Sequence, residues 1–168
     1  MHKLYGRENV NIRILAVGKI KEKFYRDALA EYTKRLQRYV RIEICEVQDE
    51  KTPEGASDKE EELILEKEGK RLLEKIGDRD YVIALAIDGR SMDSCGFAKH
   101  LSSLMISGCS TIDLLIGGSL GLSQPVLKRA DEKISFSAFT FPHQLMRVIL
   151  CEQLYRAFRI IHGEPYHK

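Results

Sequence analysis

The sequence predicts an α/β domain: a mostly parallel sheet with helices on both faces. Three observations carry this. Short apolar runs alternate with stretches of helical periodicity in five strand–helix units, the pattern of a wound sheet. The runs Tyr81–Ile87 (YVIALAI) and Thr111–Ile116 (TIDLLI) are continuously apolar except for Asp113, as in strands covered on both faces. At 168 residues the chain suits one core of sizeable volume, with no linker, repeat or low-complexity tract to divide it.

Residues 1–9 have no clear pattern and read as a flexible extension, leaving 10–168 as a single domain. Asn11–Val17 (NIRILAV) is a strand closed by Gly18. Phe24, Ala28, Tyr32, Leu36 and Tyr39 recur at helical spacing and predict a helix running to about Tyr39. Arg41–Val47 is β-branched and strand-like, and Gln48–Ser57, with Pro53 and Gly55, is a polar loop. Ser57 and Glu60 form a capping-box signature for a helix that stops near Gly77. After the strand Tyr81–Ile87, Asp88–Gly89–Arg90 reads as a turn. Phe97, Leu101, Leu104 and Met105 mark a helix ended by Gly108, with His100 expected at its surface. Beyond Thr111–Ile116 come Gly117, Gly118 and Gly121, and Ser123 with Pro125 opens a short helix.

The last unit is a strand at Ile134–Ser137, a crossing and a long helix opening at Pro142. Proline suits a first helical turn, where its missing N–H has no partner to lose. Phe141 offers no capping oxygen, so the first amides of that helix need water, a loop or a ligand. Met146, Ile149, Leu150, Leu154, Ala157, Phe158 and Ile161 share one apolar face, broad enough to suggest a homodimer interface. His143 and Arg147 lie beside it as i,i+4 neighbours. A cation there suits an anionic or electron-rich partner, and equally an arginine that snorkels out from a core helix.

Composition narrows the function classes. No apolar run approaches the roughly 20 residues that span a bilayer, and MHKLYGREN lacks a signal-peptide core. Cys45, Cys95, Cys109 and Cys151 show no C-x-x-C pairing, which suggests free thiols in a reducing cytoplasm. No His, Cys or carboxylate set has ligand spacing, so no metal is expected. The net charge of +2 hides segregation: Lys19–Arg41 has 8 Lys/Arg against 3 Asp/Glu, Glu43–Asp80 has 7 against 14, and Lys128–Lys168 has 7 against 4. Basic ends around an acidic middle hint at a polyanionic partner, although solvated helix faces also explain charge runs.

In an open parallel sheet, ligands bind beyond the carboxyl ends of strands. Leu85–Gly89, Ile116–Gly121 and Phe136–Phe141 are the three ends with unusual residues. IGGSLG is neither a dinucleotide fingerprint nor a P-loop, and Ser119 lacks a nucleophile elbow. The tail ends in Tyr166, His167 and Lys168, either a frayed terminus or a segment that docks over a site.

ILAVGKIKEKF, IGGSLGL, SFSAFTFPHQLMRVILCEQLYRAF and the terminal PYHK, in that order, closely resemble the SPOUT-class family called ribosomal RNA large subunit methyltransferase H, over Asn11–Lys168. The departures are residues 1–9 and Leu120, where relatives often carry a polar residue. The resemblance implies a homodimer with a C-terminal trefoil knot that uses S-adenosyl-L-methionine to methylate N3 of a pseudouridine in 23S rRNA. It implies a cofactor site at Leu85, Gly117 and Phe136–Phe141, that is Phe136, Ser137, Ala138, Phe139, Thr140 and Phe141. Gly118, in the same glycine pair, joins that site. The pseudouridine N3–H must lose its proton and the ring gains negative charge, so a cation and a proton relay are needed. Arg147, His143, Tyr166 and His167 are the candidates. The small chain has no appended RNA-binding domain, so assembled ribosomal particles are the expected substrate rather than free RNA. Two alternatives stay open: a non-catalytic RNA-binding or ribosome-assembly factor, and a nucleotide-binding protein with phosphates on Gly117–Gly121.

Overall fold

The computed structural model describes residues 10–168; the extension expected at 1–9 lies outside the described residues. Five strands, β1 (Asn11–Val17), β2 (Arg41–Val47), β3 (Tyr81–Ser91), β4 (Thr111–Ile116) and β5 (Glu132–Ser135), form one sheet in the order β2-β1-β4-β3-β5. Every neighbouring pair is parallel. Five helices connect or follow them: α1 (Lys23–Leu36), α2 (Asp58–Leu73), α3 (Ser94–Ile106), α4 (Gln124–Arg129) and α5 (His143–Ile161).

Alternation along the strands fills two layers. Ile12, Ile14, Ile83, Ile112, Leu114 and Ile134 face the side packed by α1, α3 and α5. Leu15, Val17, Val82 and Leu115 face the other side, with Leu72 of α2 and Val126 of α4. α5 lies between α1 and α3 and buries Leu150, Cys151, Leu154, Ala157 and Phe158. Burial pushes the Cys151 thiol up to about 12, which leaves it protonated and inert at neutral pH.

Local signals explain most element ends. At α2, the Ser57 hydroxyl accepts from Glu60 N–H and the Glu60 carboxylate accepts from Ser57 N–H, closing the expected capping box. Other boundaries differ from expectation. α1 stops at Leu36 and α2 at Leu73. β5 begins and ends two residues earlier than expected, at Glu132–Ser135. Pro142 is the N-cap of α5 with ψ 134°, not a residue of its first turn. His100 is largely buried and bonds Glu132.

The turn expected at Asp88–Gly89–Arg90 is instead part of β3. Leu85 and Arg90 both register with Ile134, so 86–89 bulge out between two paired stretches of one strand. At Gly89 a Cβ would lie 2.6 Å from the Ile134 carbonyl carbon. Only glycine lets the two backbones approach so closely after the bulge.

Asp113, the polar exception in β4, is fully buried. It registers with Arg13 on β1 and accepts from Arg13 Nε and Nη2, both at 2.8 Å. Burial raises the Asp113 pKa, and Arg13 opposes that rise. Arg13→Ala is expected to destabilise the fold by about 2–3 kcal/mol at neutral pH, by stranding a buried carboxylate. A carboxyl whose folded pKa is raised stabilises most below its unfolded value and loses that contribution as pH rises through the folded one. The penalty of Arg13→Ala should therefore shrink on acidification. Urea melts at pH 5 and pH 8 test this; a penalty that grows at pH 5 would contradict it.

Candidate active site

The bulge of β3 and the carboxyl ends of β4 and β5 enclose a cavity of about 920 Å³, large enough for a nucleoside-sized ligand. Its walls are Leu85–Asp88 from the β3 bulge, Ile116–Leu122 after β4, and most of Ile134–His143. The β4 segment is a tight glycine turn in which Gly121 N–H donates to the Gly118 carbonyl at 3.1 Å, and Gly121 has φ +85°. A Cβ at Gly117 would overlap the Gly121 carbonyl. Gly117, Gly118 and Gly121 thus bring backbone to the cavity wall, among Ser119, Leu120 and Leu122.

The crossing between β5 and α5 is held by its own serines. Ser135 donates its hydroxyl to the Ser137 carbonyl at 3.1 Å, and the Ser137 hydroxyl accepts from Phe139 N–H at 3.0 Å. Phe136 anchors the segment edge-on against Phe97, while Phe139 is 78% exposed. α5 begins here with no side chain capping it, and Pro142, His143 and Met146 line the cavity.

Of the residues expected at the cofactor site, Leu85, Gly117, Gly118, Phe136, Ser137, Phe139, Thr140 and Phe141 line this cavity, and Ala138 does not. Ala138 is exposed, turned outward at the tip of the crossing. Ile87 and Asp88, within the Leu85–Gly89 strand end singled out in the sequence, also line the cavity, where the resemblance named only Leu85.

Of the four side chains expected to act on the substrate, only His143 lines the cavity. Its pKa is lowered by burial first, then by the Arg147 charge, so the ring is neutral at pH 7 and able to accept a proton. A depressed histidine stabilises fully above its unfolded pKa, and that contribution is lost as pH falls through the folded one. NMR titration of the His143 ring protons should give a midpoint below the ordinary histidine value; a midpoint above it would remove the histidine as a neutral base.

Arg147 corrects its expectation. It is a fully buried side chain, absent from the cavity walls. Nη1 donates to Glu46 at 3.0 Å, and Nη2 donates to the Val17 and Gly18 carbonyls at 2.8 and 2.7 Å. Arg147 lies three and four residues before Leu150 and Cys151, inside the buried stripe rather than beside it. Its spacing was the available signal.

Tyr166 and His167 also lie away from the cavity within one chain. The Tyr166 hydroxyl donates to Glu152 at 3.1 Å, its ring meets Tyr155 edge-on, and the Arg156 guanidinium sits 4.7 Å from its centroid. His167 Nδ1 bonds Arg156. From His143 to Arg156 is about 20 Å along the helix, at 1.5 Å per residue. Glu152 and Arg156, which sequence reasoning did not single out, are the tail's docking partners.

Residues 10–167 match the family model described as "Predicted SPOUT methyltransferase". The chain belongs to the SPOUT methyltransferase family. Among similar proteins of this family are the ribosomal RNA large subunit methyltransferases H of Clostridium kluyveri and Limosilactobacillus reuteri, each 57% identical over 159 residues, covering 95% of this chain and all of theirs. That of Streptococcus thermophilus is 55% identical over the same span. A solved structure of a probable methylase family protein from Haemophilus influenzae Rd KW20 aligns with TM-score 0.55 at 14% identity, over 95% of this chain and 71% of its own. That likeness supports the fold alone. The SPOUT chain has no helix long and apolar enough to cross a membrane, and no His, Cys and carboxylate group suited to a metal, among the described residues.

Proposed function

We propose that this SPOUT protein transfers a methyl group from S-adenosyl-L-methionine to N3 of a pseudouridine in 23S rRNA, acting on assembled ribosomal particles as a homodimer in the cytoplasm. The observation that carries it is the cavity between the β3 bulge and the ends of β4 and β5, walled on one side by a glycine turn that a single Cβ would fill. Backbone at Gly117, Gly118 and Phe136–Phe141, with Leu85, would hold the cofactor. When bound, the cofactor supplies the electrophilic methyl group and its own leaving group. The relatives' names supply the large-subunit rRNA.

The chain's own contribution is positioning, exclusion of water and proton handling. His143, neutral and at the cavity wall, is the side chain we assign as proton acceptor. Tyr166 and His167 are too distant to serve the cavity of their own chain, so a second copy has to deliver them. Partly exposed Leu145 and Ile149, on the side of α5 away from α1 and α3, fit such a contact. The trefoil knot belongs to the same proposal, with the β4 turn and the β5–α5 crossing as its facing segments.

The test combines mass spectrometry of 23S rRNA from a deletion strain with in vitro remethylation using labelled cofactor. One methylated pseudouridine should be lost, and purified protein should restore it on particles faster than on naked RNA. An rRNA methylation pattern unchanged by deletion would refute the reading. RNA binding indifferent to the cofactor, without methyl transfer, would favour the non-catalytic alternative. Light scattering that gives a monomer at micromolar concentration would refute the dimer.

A further inference from the structure

The β1–α1 loop, Gly18–Glu22, adjoins the cavity without lining it. β1 is paired with β4, so Val17 and Gly18 emerge beside the glycine turn, and a Cβ on Gly118 would sit 3.1 Å from Val17 Cγ1. On its other side, Lys21 N–H donates to the Gln144 side chain at 3.1 Å, in the first turn of α5 next to His143.

This loop is fastened along its backbone. Gly18 N–H donates to the Val47 carbonyl at 2.8 Å, and the Gly18 carbonyl accepts from Arg147. Ile20 N–H donates to Glu46 at 2.9 Å, and Arg26 donates to the carbonyls of Ile20 and Lys21. The side chains do the opposite. Ile20 is turned into the core, while Lys19 and Lys21 are exposed and make no ion pair among the described residues. Phe24, in the first turn of α1, is 63% exposed. Lys23 is spoken for by Asp27 at 2.6 Å, and Glu22 is the one acid inside the segment.

We infer that Gly18–Phe24 is a preformed RNA clamp: Lys19 and Lys21 engage backbone phosphates beside the target nucleotide, and Phe24 stacks on a neighbouring base. A rigid backbone below two free cations loses little entropy when phosphates bind. An exposed ring beside them is the stacking platform that single-stranded RNA requires. One edge of the Phe24 ring rests on Tyr25, with centroids 4.3 Å apart, and the rest of it stays open to a base. Arg147 then serves the reaction indirectly, by holding the loop that holds the RNA. The clamp rests on the rRNA reading above, and its test separates the two.

Lys19→Glu/Lys21→Glu, Phe24→Ala and a control of equal charge change, Lys59→Glu/Lys67→Glu on α2, are compared with wild type. Filter binding uses ribosomal particles from the deletion strain over a range of salt, and calorimetry follows S-adenosylmethionine. The double reversal at the loop should weaken particle binding tenfold or more and reduce the slope of log K against log salt by about 2, one for each phosphate contact. Phe24→Ala should cost about tenfold without changing that slope. Cofactor affinity should stay within twofold of wild type in all of them. Unchanged affinity and slope in the loop variants, or an equal loss in the α2 control, would overturn the clamp while wild-type methylation stands. Wild-type protein that binds particles through these residues but never methylates them would overturn the functional reading and leave the clamp supported.

Discussion

Gly117→Ala should lose S-adenosylmethionine binding by about 10²-fold or more while the far-ultraviolet circular dichroism stays that of wild type. The new Cβ would overlap the Gly121 carbonyl, which is backbone and cannot swing aside. The turn must open, and the amides and carbonyls it aims at the cavity move with it. Losing two such hydrogen bonds at about 1.5 kcal/mol each corresponds to about 10²-fold in affinity. Gly118→Val should act in the same direction, but its Cβ meets the Val17 and Glu68 side chains at 3.1 and 3.2 Å rather than backbone. Those contacts have some freedom to yield, so Gly118→Ala is the mildest of the three. Calorimetry ranks them. If Gly117→Ala binds as wild type does, the β4 turn is not the cofactor's seat.

Arg147→Ala should destabilise the fold by about 2–4 kcal/mol, because two carbonyls lose their donor and a fully buried side chain leaves a cavity, while Glu46, 35% exposed, stays hydrated. Glu46 would lose its cation, and the Val17 and Gly18 carbonyls would lose their donor. Arg147→Lys should rescue little, because one ammonium cannot reproduce a planar fork that reaches a carboxylate and two carbonyls. Urea denaturation measures the loss. A residue facing the substrate would behave differently, with near wild-type stability and a methylation rate down by about 10²-fold. That second outcome would restore Arg147 to the reacting centre and refute its place as a buttress.

Much of this was legible in the chain. The continuous apolar runs at 81–87 and 111–116 announced strands covered on both faces, and both lie in the interior of the sheet. Ser57 and Glu60 announced the start of α2, because a capping box is closed by residues three apart. The three segments that meet at the cavity were identified from glycines and from an uncapped helix start.

What the sequence left hidden has a common origin. Asp88–Gly89–Arg90 has the composition of a turn, but β5 offers a partner edge to Arg90 and Ser91, so pairing overrode local preference. Arg147 was placed beside the apolar stripe because an arginine is expensive to bury. Glu46, Val17 and Gly18 make burial tolerable, and they lie 101 to 130 residues away along the chain. Tyr166 and His167 are the right kinds of side chain for a proton relay, yet only folding reveals that Glu152 and Arg156 hold them at the far part of α5.

By itself, then, the sequence determined the order and type of the strands and helices and pointed to the three segments that meet at the cavity. Periodicity, caps and glycine turns are set by residues within a few positions of one another. Tertiary structure alone decided which groups Arg147 bonds, how β3 bulges and where the tail docks. Each of these depends on a partner supplied by a distant strand or helix, and a buried charge or an unpaired strand edge takes its conformation from whichever partner the topology brings to it.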